Sequence, residues 1–394
     1  MVCLEIEEVG REGELLIRSC RVKVNGNTVI TPTKTIGVTL KDSFTAKESG
    51  RFIGNKFKPF GEVYCNLSLN KLSNTIKSAA EIKKLNTQLH NKVNLLKEAG
   101  ALPYILLSIT EEGGTPLNRL LPPEAQKFVF NLLWGTQGNS IIVTPLLGIL
   151  PTAKDYSKMI EAYYQRQKDA IDRKNQPIMA IIPPSYFLVD PKLIEKCWNC
   201  GVRIFGYNCE NTKYGAYGPL IENLHYELSK LSKESEEKYI LNAINSKFKY
   251  GKQQTSRINN LIGSGYGFDI YSPNHIRPRN ISRQDKPKYY IFNDDDYGFL
   301  DLHEINKTKN NDNIFNTNVL RAYDPDKISE LTAYGQKKLA DAYNIEKTIK
   351  EIETYPSKIE NDELLKYLSD KDKIKIERTE IASLRPREPS EDEW

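Results

Sequence analysis

The sequence predicts an α/β protein built as a (β/α)8 TIM-type barrel, with an N-terminal β-hairpin region and a helical C-terminal extension. Short apolar runs alternate with helical stretches between residues 62 and 275, which is typical of a parallel sheet covered by helices. A Gly-rich phosphate turn after the first strand is missing from the sequence, so a closed barrel is favoured over an open, doubly wound sheet. The 394 residues exceed the roughly 250 that a barrel needs and leave room for a smaller second unit.

The N-terminal segment has the alternating pattern of β-strands. Asn25-Gly26 lies between the apolar runs "ELLIRSCRVKV" and "NTVITP", and an Asn-Gly pair in this position is a strong hairpin signal. The polar, Gly-rich segment "KDSFTAKESGRFIGNKFKPFG" follows and predicts a loop.

Six apolar runs predict barrel strands, namely "EVYCNLSL", "PYILLSI", "SIIVTPL", "IMAIIPP", "VRIFGYN" and "YGFDIYS". Helical stretches separate them, and the stretch directly before the last run is "KYILNAINSKFKYGKQQTSRINNLIG". The glycines of "GSGYG" precede a strand, whereas those of a dinucleotide-binding loop follow one. They are therefore expected to end a helix.

Residues 1–300 are predicted to form the barrel domain with its N-terminal β region, and residues 301–394 a charged helical extension. The last ten residues, "RPREPSEDEW", have little to bury. We therefore expect a disordered end whose removal, by truncation at Ser383, leaves thermal stability unchanged.

Composition restricts the class of protein. The net charge is +5 and the pI about 8.6, which permits a polyanionic partner without requiring one. No apolar run approaches the ~20 residues of a membrane span, and the N-terminus "MVCLEIEEVGREGELL" lacks the pattern of a signal peptide. The sequence thus predicts a soluble, cytoplasmic protein with no membrane partner.

Polar residues that follow predicted strands are candidates for a site, because active sites of TIM barrels lie at the C-terminal ends of the strands. Asp269, in "YGFDIYSPNH", is either a nucleophile or a strand-end carboxylate that binds nearby loop amides. Glu111 and Glu112 follow "YILLSIT", as catalytic acid or base candidates or as solvated loop residues.

Four segments between residues 5 and 280 carry a resemblance to a known family: "EIEEVGREGELLI…NGNTVITPTKTIGV", "LPPEAQKFVFNLLWGTQGNSIIVTPL", "PIMAIIPPSYFLVDPKLIEKCWNCGVRIFGYN" and "GYGFDIYSPNHIRPR". In the order of the motifs and in their general residue pattern, these segments resemble the tRNA-guanine transglycosylases and their DNA-modifying relatives that install deazaguanines. The last segment sits where that family carries Gly-x-Asp-x-Phe-Asp on a late barrel strand.

The resemblance implies exchange of a guanine for a deazapurine base in DNA or tRNA, through a covalent carboxylate–sugar intermediate and without a cofactor. Two registers are open. Matching "GFD" to the Phe-Asp of the family makes Asp269 the nucleophile. Matching "GFDIYS" to the longer motif makes Asp269 structural and puts Ser272 at the nucleophile position. A shift of three residues reverses the face of a strand, so the two registers exclude each other.

The sequence also departs from the family. "LLSITEEGGT" stands where the family has Asp-Ser-Gly-Gly/Ser-Phe, so Ser108, Glu111 and Glu112 can replace only parts of that turn. Thr144-Pro145 stands in place of an Asp pair, and the zinc cluster after the late strand is missing. The missing cluster favours the DNA-modifying branch. The lost Asp motif leaves an alternative, a catalytically silent subunit that binds nucleic acid or scaffolds a partner in a homo- or hetero-oligomer.

Base recognition requires a flat slot with aromatic walls and polar groups facing the purine edge. Tyr207 and Asn208, at the end of "RIFGYN", fit that description, with Tyr266 as a possible wall. Each of these residue types is also common in packing. The basic segment that follows Asp269 is either a phosphate-binding loop for a flanking nucleotide or a solvated loop; its residues are His275, Arg277, Arg279 and Arg283.

We predict that the cysteines bind no zinc. Cys197, Cys200 and Cys209 have a partial ligand spacing, but a closed zinc site needs four ligands. The segment also reads as an amphipathic helix, a stop at Gly201 and a buried strand. Metal analysis of the purified protein is expected to give far less than one equivalent of zinc; a stoichiometric amount would contradict this.

Overall fold

The structure is a computed structural model. It describes residues 4–40, 58–112, 117, 121–147, 157–162, 165, 176–183, 192–250, 257–276, 289–302, 317–321 and 325–385.

A three-stranded antiparallel sheet begins the chain, with the order β1 (Leu4–Arg11), β2 (Arg18–Val24) and β3 (Asn27–Ile30). Asn25 and Gly26 join β2 to β3 with φ angles of 50° and 81°, the left-handed conformation that a two-residue hairpin turn requires. The predicted hairpin is confirmed.

Two parallel sheets form the centre of the protein. The first has six strands in the order β4-β15-β12-β11-β10-β8, and the second has four in the order β5-β6-β7-β9. Their bounds are β4 Thr33–Lys34, β5 Ile36–Thr39, β6 Phe60–Ser68, β7 Leu102–Thr110, β8 Ile142–Val143, β9 Leu146–Leu147, β10 Ile178–Ile182, β11 Ile204–Asn208, β12 Ile240–Ile244 and β15 Ile270–Tyr271. The predicted α/β class with parallel strands is confirmed, although neither sheet closes on itself.

Two segments belong to both parallel sheets. Only Thr35 separates β4 from β5, and only Thr144-Pro145 separates β8 from β9. The segment 33–39 therefore pairs with β15 through its first part and with β6 through its second. The segment 142–147 pairs in the same way with β10 and then with β7.

The helix predicted over "KYILNAINSK" is wrong. Its first part is β12, which lies between β11 and β15. All five residues of β12 are buried, so the strand shows no alternation between apolar and polar positions. A short run that is apolar throughout does not distinguish a buried strand from a buried helix.

Helices cover the outer side of the parallel strands. They are α1 (Leu69–Ile76), α2 (Ala79–Glu98), α3 (Pro123–Gly135), α4 (Leu193–Asn199) and α5 (Gly218–Ser235). The Ser68 and Ser78 side chains accept hydrogen bonds from backbone amides of the first turns of α1 and α2, which satisfies amide groups that a helix cannot pair itself. None of the described helices has the length and apolar character needed to cross a membrane.

Two apolar clusters lie on opposite sides of the parallel strands. Ile105 and Leu107 of β7 belong to a large cluster under the helices. Tyr104 and Leu106, the alternate residues, belong to a second cluster with inner residues of the other strands and with residues of β2 and β3. The N-terminal sheet therefore covers one end of this inner cluster.

A second antiparallel sheet has the order β13 (Lys249–Tyr250), β14 (Arg257–Ile258), β17 (Gly298–Asp301) and β16 (Tyr290–Asn293). The predicted domain boundary at residue 300 falls within β17. The helices that follow are α6 (Asn318–Arg321), α7 (Ala333–Glu353), α8 (Tyr355–Glu360), α9 (Leu364–Ser369) and α10 (Lys375–Ser383).

The C-terminal helices pack against the rest of the protein. The Glu12 carboxylate accepts hydrogen bonds from the backbone amides of Leu364 (3.0 Å) and Leu365 (2.7 Å) at the start of α9. In α10, the buried Glu377 carboxylate pairs with Arg257 of β14 at 3.0 Å. The extension is thus attached to both antiparallel sheets.

Two truncations near the C-terminal end of the described residues should differ in their effect on stability. Leu384 is 6% exposed and lies in the large apolar cluster. Truncation at Ser383 therefore removes a buried side chain, and the expectation that it leaves thermal stability unchanged is corrected. We predict that a chain ending at Ser383 loses about 2 kcal/mol of unfolding free energy, whereas a chain ending at Arg385 keeps it. Urea denaturation measures both; equal stabilities would show that Leu384 contributes nothing.

Candidate functional site

Asp269 lies just before β15 and is fully buried. One carboxylate oxygen accepts a hydrogen bond from Arg18 Nε at 3.1 Å, and the other accepts from Arg18 Nη2 at 2.7 Å. The second oxygen also accepts from the Leu241 backbone amide at 2.8 Å. Burial raises the pKa of the Asp269 carboxyl, while Arg18 and the Leu241 amide oppose that shift.

This geometry supports the strand-end alternative for Asp269 and not the nucleophile assignment. Its carboxylate joins β2 of the N-terminal sheet to β12 and β15, and a guanidinium covers both oxygens. A nucleophile needs an accessible lone pair aimed at the substrate. Both Asp269 oxygens are bonded to Arg18 in a buried ion pair, and freeing one of them would leave a buried charge without its partner.

Ser272 follows β15 and faces the interior. Its Oγ lies 2.8 Å from Tyr104 Oη and donates to Asn242 Oδ1 at 3.0 Å. Ile270, two residues earlier, belongs to the inner apolar cluster, as expected for alternate residues of one strand. The structure therefore places Ser272, and not Asp269, on the interior face of this strand.

Glu62 is the carboxylate that meets this interior group. It lies on β6, is fully buried, and accepts a hydrogen bond from Tyr104 Oη at 2.9 Å. Its other oxygen contacts His275 Nε2. Three oxygen–oxygen contacts run from Glu62 through Tyr104 and Ser272 to Asn242. The two hydroxyl groups supply hydrogens for only two of these contacts. The third contact needs one more proton, or a rotation of the Asn242 amide that brings its NH2 group to Ser272.

His275 covers Glu62. Its ring stacks on Tyr64 with centroids 3.7 Å apart and planes 1° apart. Its backbone amide donates to Asn245 Oδ1 at 3.0 Å. The imidazole is thus held by a flat contact on one side and by a fixed backbone on the other, directly above the buried carboxylate.

The interior position of this group follows from strand order. β7 is not a neighbour of β12 or β15 in either sheet, yet Tyr104 of β7 reaches Ser272 and Asn242. These contacts cross the space between the two parallel sheets. We call Glu62, Tyr104, Asn242, Ser272 and His275 the interior polar cluster.

The interior polar cluster contains three residues that the sequence interpretation missed: Glu62, Tyr104 and Asn242. The available signal was a single acid inside an apolar strand, "FGEVYC". An acid is rarely fully buried unless it is paired, so such a position indicates either a partner or a site.

Amide side chains gather at the ends of β11 and β12. The Asn245 Nδ2 group donates to Asn208 Oδ1 at 3.1 Å, which connects Asn208 to the backbone of His275. Glu210, Asn211 and Asn245 have φ angles of 48°, 60° and 54°. Left-handed conformations are uncommon for residues other than glycine, and they concentrate at functional sites.

Tyr207 and Tyr266 do not line the interior. Tyr207 precedes Asn208 and faces the opposite side of β11, where its ring contacts Phe268 with centroids 6.0 Å apart. Tyr266 Oη donates to Glu380 Oε2 of α10 at 2.6 Å. Both tyrosines belong to the large cluster under the helices and are packing residues in this structure.

The remaining candidates are dispersed. Ser108 is buried on β7. Glu112 is exposed and accepts a hydrogen bond from Ser68 Oγ at 2.8 Å, and Glu111 beside it is half-buried. Arg277, Arg279 and Arg283 lie outside the described residues.

Of the cysteines predicted to form no zinc site, Cys197 and Cys200 lie one turn apart at the end of α4, where the Cys200 amide donates to the Cys197 carbonyl at 3.1 Å. Cys197 is buried in α4, and Cys209 Sγ donates to the Tyr207 carbonyl at 3.7 Å. Within the described ranges, no three His, Cys, Asp or Glu residues are arranged as metal ligands.

Comparison with protein-family models and with curated proteins found no match to this chain.

We predict that Arg18→Met lowers the unfolding free energy by about 3–5 kcal/mol, because it leaves the Asp269 carboxylate buried without its charged partner. Arg21→Met is the matched control. Arg21 lies on the same strand, and its ion pair with Glu7 is 45% and 63% exposed, so the change should be within about 0.5 kcal/mol. Urea denaturation measures both variants; equal losses of unfolding free energy would show that the buried pair stabilises the fold no more than the exposed pair does.

Proposed function

We propose that the two parallel sheets are arcs of one eight-stranded (β/α)8 barrel. The support is the pair of shared segments, 33–39 and 142–147, which connect the sheets at both edges. The inner apolar cluster has members from strands of both sheets, as expected for a barrel filled by side chains. In this arrangement the interior polar cluster lies inside the barrel.

We propose that the protein exchanges a guanine for a deazapurine base in nucleic acid, with Glu62 and not Asp269 as the nucleophile. One observation carries this proposal: a buried carboxylate in the interior contacts a histidine and accepts a hydrogen bond from a tyrosine. A carboxylate next to a group that can donate and accept protons is what glycosyl transfer through a covalent intermediate requires.

The proposed reaction has two displacements. A Glu62 oxygen bonds to the sugar C1′ while the bond from C1′ to the purine nitrogen breaks, and the electron pair leaves with the purine, which takes a proton from His275. The incoming base then gives a proton to His275 and displaces Glu62 from C1′. Configuration at C1′ is retained after two inversions. No electrons are transferred, so the exchange needs no redox cofactor.

Access to Glu62 requires a movement of His275. The ring covers the carboxylate and stacks on Tyr64, and a flat base can take the place of the ring on Tyr64. Asn208 and Asn245 then offer amide groups to the edge of that base, while Ser108 lies on β7 of the other parallel sheet. The basic residues Arg277, Arg279 and Arg283 follow His275 directly in sequence and suit the phosphates of DNA or tRNA.

A second candidate is a catalytically silent subunit that binds nucleic acid or scaffolds a partner. A specific observation favours it: Ser272, and not a carboxylate, follows β15 on the interior face. Glu62 also lacks exposed surface, so in this candidate the interior polar cluster only stabilises the barrel.

The experiment incubates the protein with labelled guanine or a labelled deazapurine base and either tRNA or duplex DNA. We predict that Glu62→Gln lowers incorporation at least ~10³-fold, because the amide is a poor nucleophile, while nucleic-acid binding persists. Glu112→Gln is the matched control, since that glutamate is exposed and bonded to Ser68, and it should keep full activity.

Each outcome separates the candidates. Incorporation that survives Glu62→Gln contradicts the assigned nucleophile. Binding of nucleic acid without incorporation by the unmodified protein supports the silent subunit. Trapping of a covalent adduct between Glu62 and the nucleic acid, detected by mass spectrometry, supports the enzyme directly.

A further inference from the structure

Two lysines and three aromatic rings form a half-buried group between β4 and the second antiparallel sheet. Phe248 and Phe299 contact each other edge to face, with centroids 5.4 Å apart. Lys249 Nζ lies 3.2 Å from the Tyr290 ring centroid and 5.2 Å from that of Phe299. Lys34 Nζ lies 5.5 Å from the Phe248 centroid. We call these five residues the lysine–aromatic seam.

Among the residues that the structure describes, no carboxylate forms an ion pair with either lysine of the seam. Lys34 Nζ donates to Thr348 Oγ1 at 2.7 Å, a neutral partner. Lys249 Nζ lies against rings, and Asp301 acts on it only at longer range. Burial lowers the pKa of each lysine to about 8. A desolvated ammonium next to aromatic faces is stabilised further when an anion comes into contact with it.

The rings of the seam are accessible in part. Phe248, Tyr290 and Phe299 are neither buried nor fully exposed, so each of these residues is partly accessible to solvent. Flat aromatic faces beside cations are the composition of surfaces that bind single-stranded nucleic acid, where bases stack and phosphates meet lysine or arginine.

The seam is also close to the strand that carries the proposed site. Lys34 pairs with Tyr271 across β4 and β15, and Ser272 of the interior polar cluster is the next residue. Phe248 follows β12, which carries Asn242. The seam and the interior polar cluster are therefore connected through neighbouring residues of β4, β12 and β15.

We propose that the lysine–aromatic seam binds a single-stranded segment of a polynucleotide, with backbone phosphates on Lys34 and Lys249 and a base stacked on Phe299 or Tyr290. Charge complementarity favours this occupant, because two lysines that form no ion pair with a described carboxylate flank the rings. The inference rests on the proposed function only in taking nucleic acid as the partner. The contact surface is separate from Glu62, and binding there does not require the base-exchange reaction.

The test is fluorescence anisotropy with a labelled single-stranded oligonucleotide over a range of salt concentrations. Lys34→Met and Lys249→Met should each weaken binding about tenfold and reduce the slope of log affinity against log salt by about one. Phe299→Leu should weaken binding about tenfold with the slope unchanged. Lys84→Met is the control, since Lys84 is 63% exposed and pairs with Glu81; its affinity and slope should be unchanged.

Three outcomes would overturn the proposal. They are unchanged affinity in all three seam variants, no binding by the unmodified protein at about 50 mM salt, and equal competition by inorganic phosphate or a mononucleotide at matched phosphate concentration. Thermal melting of each variant checks that it is folded. The unmodified protein keeps the two proposals apart: oligonucleotide binding that depends on the seam residues, without base exchange, supports the seam and rejects only the enzyme.

Discussion

The buried ion pair between Arg18 and Asp269 fixes the part of the fold on which the proposed site depends. It joins the N-terminal sheet to β12 and β15 through two guanidinium contacts and one backbone amide. Such a pair offsets its desolvation only with this kind of complete hydrogen bonding. Because it anchors Asp269 at one end of β15, alternation along the strand sends Ile270 and Ser272 to the interior. One ion pair therefore decides which side chain of "GFDIYS" reaches the candidate site.

The parallel α/β class and the N-terminal hairpin follow from local patterns, since alternation, loops and the Asn25-Gly26 turn are encoded in neighbouring residues. Two stretches are not predicted by such local patterns. The segment 33–39 reads as the end of the hairpin region, and β12 is buried on both sides and lacks periodicity. At the site, Asn208, Ser272 and His275 are recognisable from strand ends. Glu62 is not, because its role comes from Tyr104 and His275, which lie 42 and 213 residues away in sequence.

The interior polar cluster is costly in a space between the two parallel sheets that is otherwise lined mostly by apolar side chains. Each buried hydroxyl, amide or carboxylate that loses water needs a partner, and an unpaired one costs about 1–3 kcal/mol. Within the cluster, Tyr104 partners Glu62 and Ser272, and Asn242 partners Ser272. Aliphatic residues of the same volume would fill the space at lower cost. Retained polar groups of this kind are typical of functional sites, where a sequence departs from the rules that maximise stability.

The contact between Glu12 and α9 has a consequence for how the chain is made. The two amides that this carboxylate binds are 352 and 353 residues further along the chain. Arg18 and its partner Asp269 are separated by 251 residues. During synthesis, the N-terminal sheet therefore stays without its ionic partner until Asp269 has been made, and without its helical partner until almost all of the described chain has followed. Long-range contacts of this kind slow folding and expose strand edges meanwhile. Nascent chains of this protein should therefore need protection from aggregation on the ribosome.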